Sequence, residues 1–339
     1  MRRAGIKAVR SFLPTRTVTN DHLSADFGEE YGRQILDKVG IATRHVATEQ
    51  EFSSDLGYYA AERLFDDAVA SRGDIDFLIF CTQSPDYFLP TTACLVHERL
   101  GLNDSCGAID INQGCSGYIY GLALANSLIN SGLAANVLLI TADTYSKFIN
   151  QRDRSLRALF GDGATATLLT AVDTDRNLIG PFVLGTDGRG ADKLIVKAGA
   201  LRFRRCTKTA AANAGAQEYW RCDENLYMDG AAILNFALRE VPRALNDLLL
   251  KSGLTLEEID LVIPHQANRF MLERLRSRLK VPADKFWIDM EECGNTVSCT
   301  IPIALERALA CGRISKRDRV ALIGFGVGFS WGATIAQVM

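Results

Sequence analysis

The sequence has 339 residues, of which 47% are hydrophobic and 23% are charged. This balance fits one large domain or two fused medium domains with a sizeable core, and it excludes a disordered or fibrous protein. The net charge of −2 provides no overall attraction to nucleic acid or to an anionic membrane. Neither is an expected partner.

The first residues, "MRRAGIKAVRSFLP", lack a long apolar segment, and no run of about 18 apolar residues follows. We therefore expect neither secretion nor a membrane span. The nine cysteines include no CxxC pair, and the four histidines are scattered along the chain. These spacings argue against a metal site, and they favour reduced thiols in the cytoplasm and a protein without a cofactor.

Apolar periodicity predicts alternating helices and strands in two separate stretches of the chain. The first stretch has a helix over 54–73, a strand over 74–81, a helix over 91–102, a strand over 107–112, a helix ending near Gly132 and a strand over 136–143. The second has a helix over 231–253, a strand over 258–265, a helix over 269–280, a strand over 285–290, a helix over 298–312 and a strand over 319–326. The repeated order predicts an α/β fold made by duplication of one βαβαβ unit, with helices packed between and outside the sheets of two pseudo-symmetric halves.

Three polar residues stand at the ends of predicted strands. Cys115 and Asn295 both begin a turn from a strand into a helix, and His265 ends the first strand of the second unit. In open α/β sheets, ligands gather beyond the carboxyl ends of the strands. We therefore predict that a pseudo-twofold relationship brings these three side chains together.

A thiol just before a helix experiences the partial positive charge of unpaired backbone N–H groups, which favours the nucleophilic thiolate. Gly114 and Gly117 permit a tight turn at this point and a close approach by substrate. The simpler interpretation is that Cys115 is a small buried apolar residue, as most free cysteines are.

His265 and Asn295 also have simpler interpretations, as a hydrogen-bonded histidine at the edge of the core and as an N-cap or turn residue. However, a neutral histidine and an asparagine can both donate a hydrogen bond to the enolate oxygen formed when a carboxylated thioester loses carbon dioxide. Cysteine, histidine and asparagine together fit covalent acyl transfer followed by carbon–carbon bond formation.

Two glycine-rich stretches are weaker signals. "FGDGATATLL" (160–169) leads into a β-branched run, which favours a tight turn before a strand over a phosphate loop. "GFGVGFSWG" (324–332) either directs backbone N–H groups at a substrate oxygen or only marks the end of a strand.

Five motifs occur in register over essentially the full chain: "GCSGYIYGL", "FGDGATA", "IPHQAN", "GNT" and "GFGVGFSWG". On these motifs the sequence resembles the β-ketoacyl-acyl carrier protein synthase III family of the thiolase superfamily. The resemblance implies the duplicated thiolase-like fold with mixed sheets, an N-terminal half over 1–175 and a C-terminal half over 176–339. It also implies a homodimer and a catalytic triad of Cys115, His265 and Asn295.

The resemblance further implies the reaction. The cysteine takes an acyl group from acyl-coenzyme A, and malonyl-acyl carrier protein then loses carbon dioxide and attacks the acyl-enzyme to give a 3-oxoacyl product. The implied oxyanion hole consists of the backbone N–H groups of Cys115 and Val327. One alternative is a related acyltransferase that acts on a hydroxyl or amine, and another is a catalytically silent partner subunit. The intact triad argues against both.

Other residues follow from the same resemblance. Positions that line the family's pantetheine and nucleotide tunnel are here Lys38, Arg154, Gly230, Ala267, Asn268 and Phe325. Leu89 is expected to reach the acyl pocket of a partner subunit, and Tyr31 stands near the place of an adenine-stacking tryptophan. The stretch 187–227 matches no motif of the family. A basic helix face either docks an acidic carrier protein or is only solvated, and it comprises Arg269, Arg274, Arg276, Arg278 and Lys280.

Overall fold

The computed structural model describes residues 1–211 and 221–339, so part of the unmatched stretch 187–227 lies outside the described residues. The strands are β1 (Arg2–Phe12), β2 (Thr17–Thr19), β3 (Thr43–His45), β4 (Phe77–Cys81), β5 (Gly107–Ile111), β6 (Asn136–Asp143), β7 (Gly163–Asp173), β8 (Ile179–Thr186), β9 (Leu194–Val196), β10 (Leu226–Met228), β11 (Leu261–Pro264), β12 (Val320–Gly326) and β13 (Ser330–Ala336). The α-helices are α1 (Asn20–Phe27), α2 (Glu29–Val39), α3 (Ser53–Asp66), α4 (Thr92–Leu100), α5 (Gly117–Asn130), α6 (Arg154–Arg157), α7 (Thr207–Ala210), α8 (Gly230–Ser252), α9 (Arg269–Leu279) and α10 (Thr300–Ala310).

The first large sheet has the strand order β1-β7-β6-β4-β5. Strands β4, β5 and β6 are parallel, whereas β7 pairs antiparallel with both β6 and β1. The second large sheet has the order β8-β13-β12-β11. Here β11 and β12 are parallel, and β13 pairs antiparallel with β12 and β8. The order β8-β13-β12-β11 matches the first four strands, β1-β7-β6-β4, of the five-stranded sheet, which confirms the predicted duplication. The predicted boundary at residue 175 falls between β7 and β8 and remains a prediction.

The strand predicted over 285–290 is wrong. Phe286 forms an isolated parallel bridge with Val262 of β11, at the position that β5 fills in the first sheet. Beyond this bridge, the side chain of Gln266 forms the hydrogen bonds to the chain after Phe286 that a neighbouring strand would otherwise form. Its Oε1 accepts a hydrogen bond from the Asp289 N–H (2.7 Å), and its Nε2 donates to the Trp287 carbonyl (3.2 Å).

The helix predicted over 54–73 is too long at its C-terminal end. Helix α3 stops at Asp66, and Ala68 adopts a left-handed φ of 53° that cannot continue a right-handed helix. The predicted turn before a strand in "FGDGATATLL" is confirmed, because β7 begins at Gly163.

The two large sheets enclose a pair of helices. Helix α5 packs on β6 of the first sheet and on β12 of the second, and α10 packs on β1 and on β11. Helices α3 and α4 cover the other face of the first sheet, and α8 covers that of the second with α9 beside it. This arrangement gives five layers and brings the ends of strands from both halves to one region. No helix in the described part of the chain has both the length and the apolar character that crossing a bilayer requires.

Candidate active site

Cys115 lies in the turn between β5 and α5, two residues before the helix begins. Its side chain is only 4% exposed. Strand β12 passes close to it, because a Cβ added to Gly326 would lie 3.0 Å from the Cys115 Sγ and 2.8 Å from its Cβ. The glycine therefore keeps space beside the thiol that any other residue would fill.

Burial dominates the acidity of this thiol. The pKa of Cys115 is raised to about 12, first by burial and then by the Asp143 carboxylate, while hydrogen bonds from the N–H groups of Cys115 and Val327 oppose the rise. The helix N-terminus thus does not by itself hold a resting thiolate, contrary to the expectation from sequence. The thiol is protonated at neutral pH, so its proton must leave during attack on a substrate.

Val327 follows β12, and its backbone N–H is placed to hydrogen-bond to the Cys115 sulfur. One hydrogen bond and the close packing of Gly114 fix this turn. The Val327 carbonyl accepts a hydrogen bond from the Ser330 hydroxyl (2.7 Å), and a Cβ added to Gly114 would lie 2.6 Å from the Val327 Cγ1. The two N–H groups assigned to an oxyanion hole are therefore neighbours, and their role in binding an oxyanion stays a prediction.

His265 directly follows β11, and its backbone N–H donates to the Ile323 carbonyl of β12 (2.7 Å). The side chain is 2% exposed. The ring Nδ1 lies 2.7 Å from the Thr300 hydroxyl, and Phe325 packs against the ring at a centroid distance of 5.4 Å. Burial lowers the pKa of His265 to about 3. The imidazole is therefore neutral at physiological pH.

Asn295 is held by its backbone against the loop that follows α6. Its N–H donates to the Leu159 carbonyl (2.9 Å), and its carbonyl accepts from the Gly161 N–H (3.0 Å). Its side-chain Oδ1 accepts from the N–H of Val297 (2.9 Å), a β-branched residue with a strained φ of 57°. Because Oδ1 is occupied in this turn, the carboxamide presents its Nδ2 donor, which has no hydrogen-bond partner among the described residues.

Shared neighbours link the three residues, and their assembly into one catalytic site stays a prediction. Strand β12 runs between Cys115 and His265 and contacts both. Thr300, at the start of α10, contacts His265 and also the carbonyl of Val297, in the turn that carries Asn295. The nucleophile comes from one half of the duplication, and both candidate hydrogen-bond donors come from the other.

Asp143, at the end of β6, is a site residue that sequence reasoning missed. One carboxylate oxygen accepts from the Gln83 N–H (2.8 Å), and the other accepts from the N–H and the hydroxyl of Ser298. Burial raises the pKa of Asp143 to about 7. The available signal was an acidic residue that closes the apolar run "NVLLITAD".

A cavity of about 850 Å³ opens beside Val327. Gln83 and Asn112 contribute polar groups, and the wall also includes Tyr145, Phe148, Leu194, Ile195, Val196, Leu226 and Arg205. Part of the stretch 187–227 thus builds a wall of this cavity. Leu89 does not line the cavity of its own chain and is 82% exposed, whereas Tyr87 and Phe88 do line it.

Tyr31 is not available to stack on a nucleotide base. It is 8% exposed, the Arg154 guanidinium lies 4.4 Å from its ring centroid, and its hydroxyl donates to the Arg154 carbonyl. Lys38 lies exposed in the last turn of α2. The substrate contacts expected of Lys38 and Arg154 stay predictions.

The remaining predicted tunnel residues have clear structural positions. Gly230 begins α8 and is exposed, and Ala267 is buried next to His265. Asn268 caps α9, because its side chain accepts from the Met271 N–H (2.8 Å). Phe325 is buried against His265. A role in substrate binding stays a prediction for each of them.

A groove of about 1050 Å³ runs between α8 and α9. Its basic residues are Arg239, Arg243, Arg274 and Arg278. Of the predicted basic face, Arg269 pairs with Glu291 (3.1 Å) and Arg276 with Glu273 (2.9 Å). Arg274 and Arg278 form no salt bridge with any residue that the structure describes, although Glu273 also lines the groove.

Two family models match the chain: "3-Oxoacyl-[acyl-carrier-protein (ACP)] synthase III" over residues 109–188 and its C-terminal counterpart over 249–338. Among curated proteins, a beta-ketoacyl-[acyl-carrier-protein] synthase III of Caldanaerobacter subterraneus is 37% identical, over 98% of this chain and 97% of that protein. One of the same name from Neisseria gonorrhoeae is 35% identical, over 99% of this chain and the full relative.

Solved structures agree. A crystal structure of a 3-oxoacyl-(acyl-carrier-protein) synthase III superposes with a TM-score of 0.97 at 48% identity, covering 99% of both chains. One from Burkholderia xenovorans gives a TM-score of 0.91 at 35% identity, covering all of this chain and 95% of the other. The fold is thus the duplicated thiolase-like fold of the condensing enzymes. The chain belongs to the β-ketoacyl-acyl carrier protein synthase III family.

Proposed function

We propose that this enzyme is an acyltransferase that joins an acyl group to a malonyl unit by decarboxylative condensation. Acyl-coenzyme A and malonyl-acyl carrier protein are its substrates, a 3-oxoacyl thioester is its product, and no metal or cofactor takes part. The observation that carries this proposal is the meeting of a buried thiol from one half with two neutral hydrogen-bond donors from the other.

In the first step the Cys115 sulfur attacks the thioester carbonyl. The N–H groups of Cys115 and Val327 donate to the oxygen that becomes negative, and the departing thiol carries away the proton that the cysteine loses. The acyl chain then occupies the apolar cavity beside Val327.

In the second step the malonyl thioester loses carbon dioxide. The electrons of the broken carbon–carbon bond form an enolate, whose oxygen accepts hydrogen bonds from His265 and Asn295. The enolate carbon attacks the acyl carbonyl, and Cys115 leaves as a thiolate that regains a proton. A neutral imidazole suits this step because it donates without trapping the enolate as an ion pair.

The groove between α8 and α9 supports docking of the carrier protein. Arg274 and Arg278 present unpaired positive charge there, which is the complement of an acidic surface. Asn268, at the start of α9, lies three residues beyond His265, so a carrier bound along α9 is close to the site.

A homodimer is supported by the edge of the first sheet. Strand β5 is the terminal strand of that sheet, and it precedes the turn of Cys115. Unpaired edges are usually covered, and the apolar side chains of Tyr87, Phe88 and Leu89 stand exposed in the loop after β4. A second copy that pairs along β5 would cover both features. Reduced thiols support a cytoplasmic location, since none of the nine cysteines forms a disulfide.

Two variants of Asn295 test the mechanism. Asn295→Ala removes the donor and also the hydrogen bond from Val297, whereas Asn295→Asp keeps an oxygen for Val297 and replaces the donor with a second carboxylate oxygen and its negative charge. Loss of a preorganised donor costs on the order of 3–4 kcal/mol, or roughly a hundred- to a thousand-fold in rate. Both variants should still be acylated at Cys115 but release carbon dioxide from labelled malonyl thioester far more slowly. Release at the wild-type rate would show that Asn295 is only a turn residue, and would favour acyl transfer to a hydroxyl or amine.

A further inference from the structure

Ser116 directly follows Cys115 and is the N-cap residue of α5. A serine at this position usually accepts a hydrogen bond from a backbone N–H in the first turn of its own helix. The Ser116 side chain makes no such bond. It is fully buried, and its hydroxyl oxygen lies 2.7 Å from that of Ser330, which comes from the other half of the duplication. The Ser116 hydroxyl therefore connects two parts of the fold and does not cap its own helix.

Ser330 begins β13, directly after the turn that contains Val327, and its hydroxyl donates to the Val327 carbonyl (2.7 Å). A hydroxyl has one proton, so Ser330 cannot also donate to Ser116. Ser116 is then the donor in the contact between the two serines. Another oxygen near Ser330, the Gln113 Oε1, is 3.4 Å away, which is longer than the roughly 2.5–3.0 Å of a hydroxyl hydrogen bond. The two hydroxyls thus form a directed chain from Ser116 through Ser330 to the Val327 carbonyl.

This chain of hydroxyls connects the two turns that supply backbone N–H groups to the Cys115 sulfur. One turn precedes α5, and the other joins β12 to β13, where Gly326 pairs with Ser330. The two serines are 214 residues apart in sequence. Two donors that bind one oxyanion must be preorganised around the same point, and donors on separate elements keep that geometry only if the elements are fixed to each other. Buried hydrogen bonds are well suited to this, because the low local dielectric strengthens them.

We propose that Ser116 and Ser330 are positioning residues for the oxyanion hole, and that their hydroxyls fix the Val327 turn relative to the Cys115 turn. The inference rests on the proposed function only for the use of the two N–H groups in acylation. Ser116 is 0% exposed and Ser330 is 1% exposed, so neither hydroxyl is placed to contact a substrate. Loss of either hydroxyl should therefore slow acylation without weakening the binding of the thioester.

The Val327 N–H can be observed in the resting enzyme without substrate. Gly326–Val327 is the only glycine–valine step in the sequence. Protein labelled with carbon-13 at the glycine carbonyls and with nitrogen-15 at valine therefore gives one amide signal for this pair in carbonyl-selected NMR. We expect this signal to shift, and its hydrogen to exchange faster with deuterated water, in Ser330→Ala. The changes should be smaller in Ser116→Ala, which keeps the hydrogen bond from Ser330 to the Val327 carbonyl.

Rapid-quench measurement of Cys115 acylation gives the second readout. Removal of an oxyanion donor slows a reaction roughly a hundred- to a thousand-fold, and displacement of a donor should cost less. We expect the maximal acylation rate to fall roughly ten- to a hundred-fold in Ser330→Ala and about three- to tenfold in Ser116→Ala. The half-saturating thioester concentration should not change. The double variant should be no slower than Ser330→Ala, because the Ser116 hydroxyl has no acceptor once Ser330 is alanine.

Ser53→Ala is the matched control. The Ser53 hydroxyl is also fully buried, and it lies 2.8 Å from both the hydroxyl and the carbonyl of Ser84. It should change neither the Val327 signal nor acylation. An unchanged Val327 signal with normal acylation in a folded Ser330→Ala would overturn the proposal, and if that variant does not fold, the same result in Ser116→Ala would overturn it. Equal losses in Ser53→Ala would overturn it too. Failure of the proposed function would appear differently, as wild-type protein that no thioester acylates while the Val327 signal still shifts in Ser330→Ala.

Discussion

The carboxylate of Asp143 accepts hydrogen bonds from both the backbone N–H and the hydroxyl of Ser298, which lies 155 residues further along the chain. Asp143 ends a strand of the first half, and Ser298 lies in the turn of the second half that carries Asn295. The other oxygen of Asp143 accepts from the Gln83 N–H. The Asp143 side chain therefore connects the half of the fold that contains Cys115 to the turn that carries Asn295.

The substitution Asp143→Asn should loosen that turn. An amide has one acceptor oxygen in place of two, so either Gln83 or Ser298 loses its partner. Hydrogen bonds to charged groups contribute about 1.5–3 kcal/mol, and we expect carbon dioxide release to fall by roughly ten- to a hundred-fold, with a smaller effect on acylation of Cys115. Rapid-quench measurement of each step checks this.

Asp76→Asn is the matched control for Asp143→Asn. The Asp76 carboxylate accepts hydrogen bonds from the N–H groups of Ala135 and Asn136. Asn136 begins β6, the strand that ends at Asp143. Asp76→Asn should lower the free energy of unfolding, but it should not slow carbon dioxide release more than acylation of Cys115. Equal losses in both variants would mean that Asp143 contributes only to folding.

The neutral state of His265 predicts the pH dependence of condensation. An ordinary histidine would give a break in rate near pH 6.5, but the pKa here is lowered to about 3. We therefore expect carbon dioxide release by the acylated enzyme to show no histidine titration between pH 5.5 and 8. A break near pH 6.5 that disappears in His265→Asn would contradict a buried neutral ring.

The same lowered pKa affects stability. Between the folded value near 3 and the ordinary value of 6.5, the unfolded chain binds the extra proton, so stability rises with pH across this window. His265 contributes fully above pH 6.5, and its contribution is lost as pH falls toward 3. The free energy of unfolding of wild type minus that of His265→Asn, measured with urea, should shrink on acidification, and a difference that is constant from pH 7 to pH 5 would count against burial of the ring.

Gly326→Ala should block the nucleophile. The added Cβ would lie 2.8 Å from the Cβ of Cys115 and 3.0 Å from its Sγ. Overpacking costs about 1–3 kcal/mol, and acylation should slow by about tenfold or more. Gly188→Ala is the control, because nothing lies within 4 Å of its added Cβ. Normal acylation of Gly326→Ala would show that the thiol is free to move away from β12.

Charge reversal at Arg274 and Arg278 tests the groove between α8 and α9. We expect Arg274→Glu with Arg278→Glu to raise KM for malonyl-acyl carrier protein by about tenfold and to reduce its dependence on salt. The KM for malonyl-coenzyme A should not change, since that substrate has no protein surface. Arg176→Glu, in an exposed loop, is the control for charge reversal outside the groove. A uniform rise for both substrates would place the effect in the active site and not in docking.

Cys115 and His265 could be predicted because each follows an apolar run that was recognisable as a strand, whereas Asn295 follows a run that was wrongly predicted as one. Cys115, His265 and Asn295 also stand in the motifs "GCSGYIYGL", "IPHQAN" and "GNT", which carry the resemblance to the family. Strand β13 was harder to identify, since its sequence includes Trp331 and Gly332. That glycine is required by packing, because a Cβ at Gly332 would lie 2.8 Å from Ile119 of α5, and such a contact does not follow from local periodicity.

The features of the site that could not be predicted depend on contacts between residues that are distant in sequence. Nothing near Asp143 indicates Ser298, and nothing near Thr300 indicates the ring of His265. The resting acidity of Cys115 was also beyond reach, since burial outweighs the helix N-terminus only once the fold has closed around the thiol. For the same reason, coverage of Tyr31 by Arg154 was visible only in three dimensions.

Acylation of one thiol is the most direct test of the central proposal. Wild-type enzyme and Cys115→Ala are incubated with a panel of acyl-coenzyme A and acyl-carrier thioesters, and intact mass is followed by peptide mapping. We predict that wild type gains the mass of one acyl group on the peptide that contains Cys115, that malonyl-acyl carrier protein then removes it as a 3-oxoacyl product, and that Cys115→Ala gains nothing. An adduct that maps to the exposed Cys94 or to Cys106, or one that forms equally in Cys115→Ala, would contradict the account.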